Sequence, residues 1–306
     1  MTTDQAAPGE ALLWTIDDEL AGALAAIYPV RIALVSPPRT GSTAIARMLW
    51  QHTSVTHHCH EPFEACYWGG AEADPVGRSL RSPMAVETGL RVPLSQVAPS
   101  SGLLVKEMSF QLRPAQFRSL ARLASTPVVF AVRDPRLAAA SRLRIVRELY
   151  DHTTFPPFES GWASLAMQVR MCQEEGLAYL VVDTTDLRND PVGMSQALLR
   201  ALGLPPEPDI GSWSPRPGLQ LCPPETGALM SDKRRVDDPF YRRVLASDGI
   251  KPVDRVDWAA EHEAIRAAGL SDDVDAWMNT YSDLRRDARL LRSADHYGRD
   301  AEHVRT

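Results

Sequence analysis

Cysteine is scarce. Cys59, Cys66, Cys172 and Cys222 are the whole supply in 306 residues, and no two of them form a C-x-x-C pair. No disulfide framework is expected of such a chain, and a reducing compartment is. Long apolar runs are missing as well. The stretch from Leu20 to Val35 is broken by Pro29 and Arg31, so no membrane-spanning segment and no membrane partner are expected. The first residues carry Asp4 and Glu10 and no basic leader, so a secretory signal is not expected and the cytoplasm is the expected location. Positive charge is also in deficit: 33 Lys and Arg stand against 39 Asp and Glu, a formal net charge of -6. Non-specific nucleic-acid binding needs a cationic surplus to displace counterions, so a nucleic-acid partner is not expected. Basic residues grouped inside an acidic chain point instead to a local site for a small anion. No internal repeat is visible.

Apolar residues are plentiful at 44%, enough for a sizeable core. They fall in short runs: RIALVS from Arg31, SVTHHCH from Ser54, GLLVKE from Gly102, PVVFAV from Pro127 and AYLVV from Ala178. Runs this short, bounded by Pro, Gly and Ser, read as buried strands. Helical stretches separate them. Ala11–Ile27, Ser42–Gln51, Pro114–Leu123, Pro135–Tyr150 and Gly161–Glu175 are predicted as helices, and Asp190-Pro191 reads as the cap and first turn of another that Gly203 stops. Alternating strands and helices predict an α/β fold: a P-loop-like three-layer sandwich, with a central parallel sheet and helices on both faces. Residues 1–306 are expected to form one domain, with a loose tail over 1–10, covering loops over 205–245 and a helical part over 254–306. The Gly-, Pro- and Ser-rich stretch from Trp68 to Ser101 reads as loop.

The chemistry starts at the first strand-to-helix joint, IALVSPPRTGSTAIARML. A Walker A loop would place a lysine where Ser42 stands, and Arg39 lies inside the loop instead. Gly41 lets backbone approach a ligand, and a helix start presents free N–H groups to an anion. Thr40, Ser42 and Thr43 add hydroxyls, and Arg39 adds a planar fork suited to phosphate or sulfonate oxygens. A second joint, FAVRDPRLAAASRLR, repeats the pattern. Arg133 stands at the strand end, Asp134 is the expected N-cap, and Ser141 returns to the same face about two turns on. Taken singly, each joint is also what an ordinary strand–turn–helix connection or a solvated Arg-rich helix looks like. His57, His58 and His60 alternate across a strand with no companion cluster at ligand spacing, so no metal site is expected.

Together, Pro38–Thr43 and the Arg133/Ser141 pair resemble the sulfotransferase family that uses PAPS (3′-phosphoadenosine 5′-phosphosulfate). That family carries a P-[KR]-[ST]-G-[ST]-[ST] loop, then an Arg at a later strand end and a Ser eight residues on. The later run DTTDLRNDPVGMSQALLRALGLP is similar to the family's closing strand, loop and helix, so the likeness spans roughly Arg31 to Pro205. The resemblance implies that Arg39, Thr40, Gly41, Ser42 and Thr43 hold the 5′-phosphosulfate and that Arg133 and Ser141 hold the 3′-phosphate. It implies PAP as product and no metal. Members with an Arg loop, such as tyrosylprotein and trehalose sulfotransferases, place a glutamate base where Glu61 stands, and His60 is the competing base. Lys106 matches a family lysine near the bridging oxygen, with strand-end pairing to Glu107 or Asp134 as its alternative. The His of cytosolic members is here Met108, a departure that shifts the burden to Glu61. Lys233 and Arg234 match a late basic loop that closes over the nucleotide, and a solvated charge run is the other reading.

The expected activity is sulfuryl transfer from PAPS to a hydroxyl or amine of a small-molecule acceptor, such as a secondary metabolite. The alternatives are a P-loop nucleotide kinase, against which the missing lysine speaks, and a non-catalytic nucleotide-binding protein on the same fold. The oligomeric state is not encoded legibly.

Overall fold

The computed structural model describes residues 14–68, 74–216, 219, 221, 240–253 and 255–293. Six strands form one sheet: β1 (Val30–Ser36), β2 (His57–His60), β3 (Met84–Ala85), β4 (Gly102–Met108), β5 (Val128–Val132) and β6 (Tyr179–Asp183), in the order β3-β2-β4-β1-β5-β6. All neighbouring pairs are parallel except β2 with β3, so the sheet is parallel apart from one short edge.

The strands read as unbroken apolar runs because both faces are covered. Along β1, Ala33 and Val35 face one core and Ile32 and Leu34 the other. β5 divides the same way, with Val128, Phe130 and Val132 against Val129 and Ala131. The first face is packed by α1 (Asp18–Ile27), α5 (Pro114–Leu123), α6 (Pro135–Tyr150), α7 (Trp162–Glu175), α11 (Trp258–Ala267) and α12 (Ser271–Arg286). The second is packed by α2 (Ser42–Leu49), α8 (Thr184–Asn189), α9 (Pro191–Ala201) and the short α10 (Arg242–Leu245). This is the three-layer α/β sandwich that the alternating pattern predicts. Among the described residues no helix is long and apolar enough to cross a membrane.

Capping chemistry sets several helix starts. Asp134 accepts the Arg136 N–H at 2.9 Å ahead of Pro135, and Asp190 accepts the Gly193 N–H at 2.9 Å ahead of Pro191. α1 begins later than the apolar pattern predicts. Asp17 accepts the Leu20 N–H at 2.7 Å and caps the helix there, while the Ile16 N–H is taken by Ser119 Oγ at 3.2 Å. The stretch 68–101, expected as loop, holds α4 (Pro75–Arg81), capped by Asp74, and the edge strand β3. A further helix, α3 (Glu64–Trp68), follows β2. β4 runs to Met108, two residues past Lys106, so Lys106 lies inside the strand and not at its end.

Candidate active site

The β1–α2 joint forms a tight loop over the C-terminal edge of the sheet. Gly41 is the N-cap of α2 at φ 87°, a left-handed conformation that costs glycine little. Arg39 adopts φ 64° without being glycine, and Glu61 adopts φ 52°. Such backbones cost about 1–3 kcal/mol each and persist only where the surroundings hold them. Here the two strained residues line the same cavity, of about 600 Å³.

Arg39 reaches across the loop. Its Nε donates to Ser141 Oγ at 3.2 Å and one terminal nitrogen donates to the Phe240 carbonyl at 2.8 Å. Burial, together with the nearby Arg133, Arg243 and Arg142, lowers its guanidinium to about 10, against an opposing pull from Tyr241. Gly41, Ser42, Thr43, Arg133, Arg142 and Arg243 share the cavity wall with Arg39. Four guanidinium groups therefore crowd one cleft beside a helix start, where an anion relieves their mutual repulsion. Arg142 is bridged to Glu159, whose carbonyl also accepts from it at 3.0 Å.

Thr40 plays a different part from the one its hydroxyl suggests. It is buried, its Oγ1 donates to the Pro37 carbonyl at 2.9 Å, and its own carbonyl accepts from Thr184 Oγ1 at 2.6 Å. It braces the loop from within. Ser36 Oγ likewise donates to Ser42 Oγ at 2.7 Å. Gly161 presses on the loop from outside: a Cβ there would lie 2.4 Å from Ser109 Oγ and 3.1 Å from Pro37 Cα.

The carboxylate end of the cavity is built by β2 and β4. Their parallel register sets His60 opposite Lys106, which brings Glu61, the next residue, to the lysine. Lys106 is 1% exposed and bonds through Nζ to Glu61 Oε1, so its partner is Glu61 and neither Glu107 nor Asp134. Tyr241 donates its hydroxyl to the same oxygen at 2.7 Å, and His60 Nε2 lies 3.3 Å from it. Burial acts to raise the Glu61 carboxyl, but Lys106 and His60 outweigh it and hold the group well below the usual carboxylate range. Glu107 points to the opposite face of β4 and accepts the N–H groups of Phe63 and Met108, each at 2.8 Å. Burial, reinforced by the Glu61 charge, holds Glu107 well above the usual range. The two buried carboxyls are therefore pushed in opposite directions, Glu61 down by its cations and Glu107 up by burial.

His60 is buried beneath Tyr241, and burial first, then Lys106, lowers its imidazole. Glu61, not His60, is on the cavity wall. His58 stacks on Trp50 with centroids 4.2 Å apart and is pushed down to about 3, chiefly by burial. Among the described residues no group of three or more His, Cys, Asp or Glu could hold a metal ion. Lys233 and Arg234 lie outside the described residues. Sequence reasoning missed Phe240, Tyr241 and Thr184, and it offered Glu107 only as a partner for Lys106. Tyr241 lies in the run DDPFYRR, where only the basic residues stand out, and nothing local marks its hydroxyl.

No protein-family model matches the chain. No curated protein matches it either. Among solved structures, it is similar to a mouse sulfotransferase crystallised with PAP, at 14% identity over 86% of this chain and 94% of that one, with a TM-score of 0.42.

Proposed function

We propose that this protein is a sulfotransferase that moves a sulfuryl group from PAPS to a hydroxyl or amine of a small-molecule acceptor. The observation that carries this reading is the single cavity with Arg39, Gly41–Thr43 and Arg133 on one wall and Glu61 on another. The cationic end suits a nucleotide with anions at both its 5′ and 3′ positions. In this reading Arg39 and the α2 start hold the 5′-phosphosulfate, and Arg133 with Ser141 holds the 3′-phosphate. Lys106 and Arg39 stabilise charge on the leaving phosphate, and Glu61 takes the acceptor proton. Transfer is an in-line displacement at sulfur, driven mainly by electrostatic preorganisation. A sulfuryl group carries less charge than a phosphoryl group, so fixed guanidinium and backbone donors can serve where kinases use Mg²⁺.

The aromatic residues Phe110, Tyr150 and Phe155 line the same cavity and supply the apolar wall for an acceptor. The test is a thermal shift with PAP and, separately, with ATP–Mg²⁺. PAP at about a hundred times its Kd should add roughly 2.7 kcal/mol of stability, and ATP–Mg²⁺ should add none. The reverse preference would replace this reading with a nucleotide kinase. PAP binding without turnover across a broad acceptor panel would favour a nucleotide-binding protein without catalysis.

A further inference from the structure

Two adjacent residues, Phe240 and Tyr241, touch both ends of the cavity. The Phe240 carbonyl accepts from the Arg39 guanidinium at 2.8 Å, and the Tyr241 hydroxyl donates to Glu61 Oε1 at 2.7 Å. Tyr241 is buried, sets its ring edge-on to His60 with centroids 4.8 Å apart, and reaches the cavity wall. The contacts on the Glu61 carboxyl are one-sided. Lys106, Tyr241 and His60 all crowd Oε1, and among the described residues no hydrogen bond is made to Oε2.

We propose that Tyr241 is the positioning residue for Glu61: its O–H pins Oε1, leaving Oε2 turned to the acceptor. This rests on the sulfotransferase reading. In the transfer, the acceptor O–H proton moves to Glu61 Oε2 as the acceptor oxygen bonds to sulfur. The S–O bond to the 5′-phosphate breaks, and its electron pair leaves with PAP. Negative charge then grows on the leaving phosphate, and Lys106 divides its charge between that oxygen and Glu61. A lysine so divided holds Oε1 less firmly, and the Tyr241 bond, which comes from a neutral donor on a different element, continues to hold it. Among the described residues, the titratable and charged groups facing the carboxyl are Lys106 on β4, His60 on β2 and Tyr241 itself, with Arg39 beside the tyrosine and the Glu107 carboxyl, turned to the other face of β4, close enough to feel the Glu61 charge.

The direction of the effect follows from which form the hydroxyl favours. Tyr241 donates to the carboxylate, so removing the donor raises the pH at which Glu61 takes a proton. The experiment uses the full chain labelled with ¹³C at the glutamate carboxyl, with the Glu61 signal assigned by its loss in Glu61→Gln. Wild type and Tyr241→Phe are titrated towards acid, and the thermal shift with PAP is measured on both. The phenylalanine protein is expected to protonate Glu61 at a higher pH than wild type and to keep its PAP shift, because no phosphate contact is removed. Tyr241→Gln, which restores an N–H donor, should move the titration back towards wild type. An unchanged Glu61 titration in Tyr241→Phe with PAP binding intact would overturn the inference. Absence of a PAP shift in wild type would instead defeat the sulfotransferase reading, and the titration would still show whether Tyr241 governs Glu61.

Discussion

Replacing Lys106 by methionine removes a cation from a buried pair and keeps most of the side-chain volume. Lys106 and Glu61 are 1% and 5% exposed, and Lys106 is the largest influence favouring the charged form of Glu61. Breaking a buried ion pair by deleting one partner costs about 3–5 kcal/mol, because the other charge is left in low dielectric. Unfolding entropy of about 2.1 cal/mol/K per residue makes each kcal/mol worth roughly 1.6 °C in a chain of this length, so Tm should fall by roughly 5–8 °C at neutral pH. The sign of the pH dependence follows from the direction of the shift. In wild type the folded pKa of Glu61 is depressed, so its contribution is present above the unfolded value of about 4.3 and is lost as pH falls through the folded value. Without Lys106, burial dominates and Glu61 binds its proton more readily. The deficit should therefore be widest near neutral pH and shrink with acid. Urea unfolding of Lys106→Met, Glu61→Gln and the double variant from pH 4 to pH 8 measures it, with the double variant expected to regain most of the loss. A deficit below about 1 kcal/mol that is flat across this range would refute the argument, since it would mean that solvent already screens Glu61.

Three further outcomes are expected. Arg133→Ala and Ser141→Ala should weaken PAP far more than adenosine 5′-phosphosulfate, by about 1.5–3 kcal/mol for the arginine and less for the serine, and equal losses by calorimetry would deny them the 3′-phosphate. Glu61→Gln should lower turnover about 10²–10⁴-fold with PAP affinity nearly unchanged, and His60→Ala measured in parallel must lose less, or the base is misassigned. Glu107 is held above its unfolded pKa, so its contribution is full in acid and is lost as pH rises. The stability of Glu107→Gln relative to wild type should thus improve from pH 4 to pH 7, and a relative stability that worsens would contradict the upward shift argued for Glu107.

Much of the fold was legible because its signals are local. Pro114 and Pro135 open α5 and α6 at the residues the sequence indicates, and buried strands announce themselves as short apolar runs. α4 escaped notice although Asp74-Pro75 carries the same cap as Asp134-Pro135, because glycine, proline and serine crowd the surrounding stretch. The site divides along the same line. The arginine-bearing end of the cavity begins with a contiguous strand–turn–helix, so Arg39–Thr43 could be singled out from their order alone. Even there, the bracing of the Thr40 carbonyl depends on the Thr184 hydroxyl, 144 positions away. The carboxylate half is assembled from segments distant in sequence: Glu61 meets Lys106 across 45 positions and Tyr241 across 180. Sequence adjacency offered Lys106 the wrong carboxylate, because side chains at successive strand positions point to opposite faces and Glu107 is thereby turned away. Only the strand order supplies the right one. Once β2 lies beside β4 with His60 opposite Lys106, the residue that leaves the sheet after His60 must pass over the lysine, and that residue is Glu61.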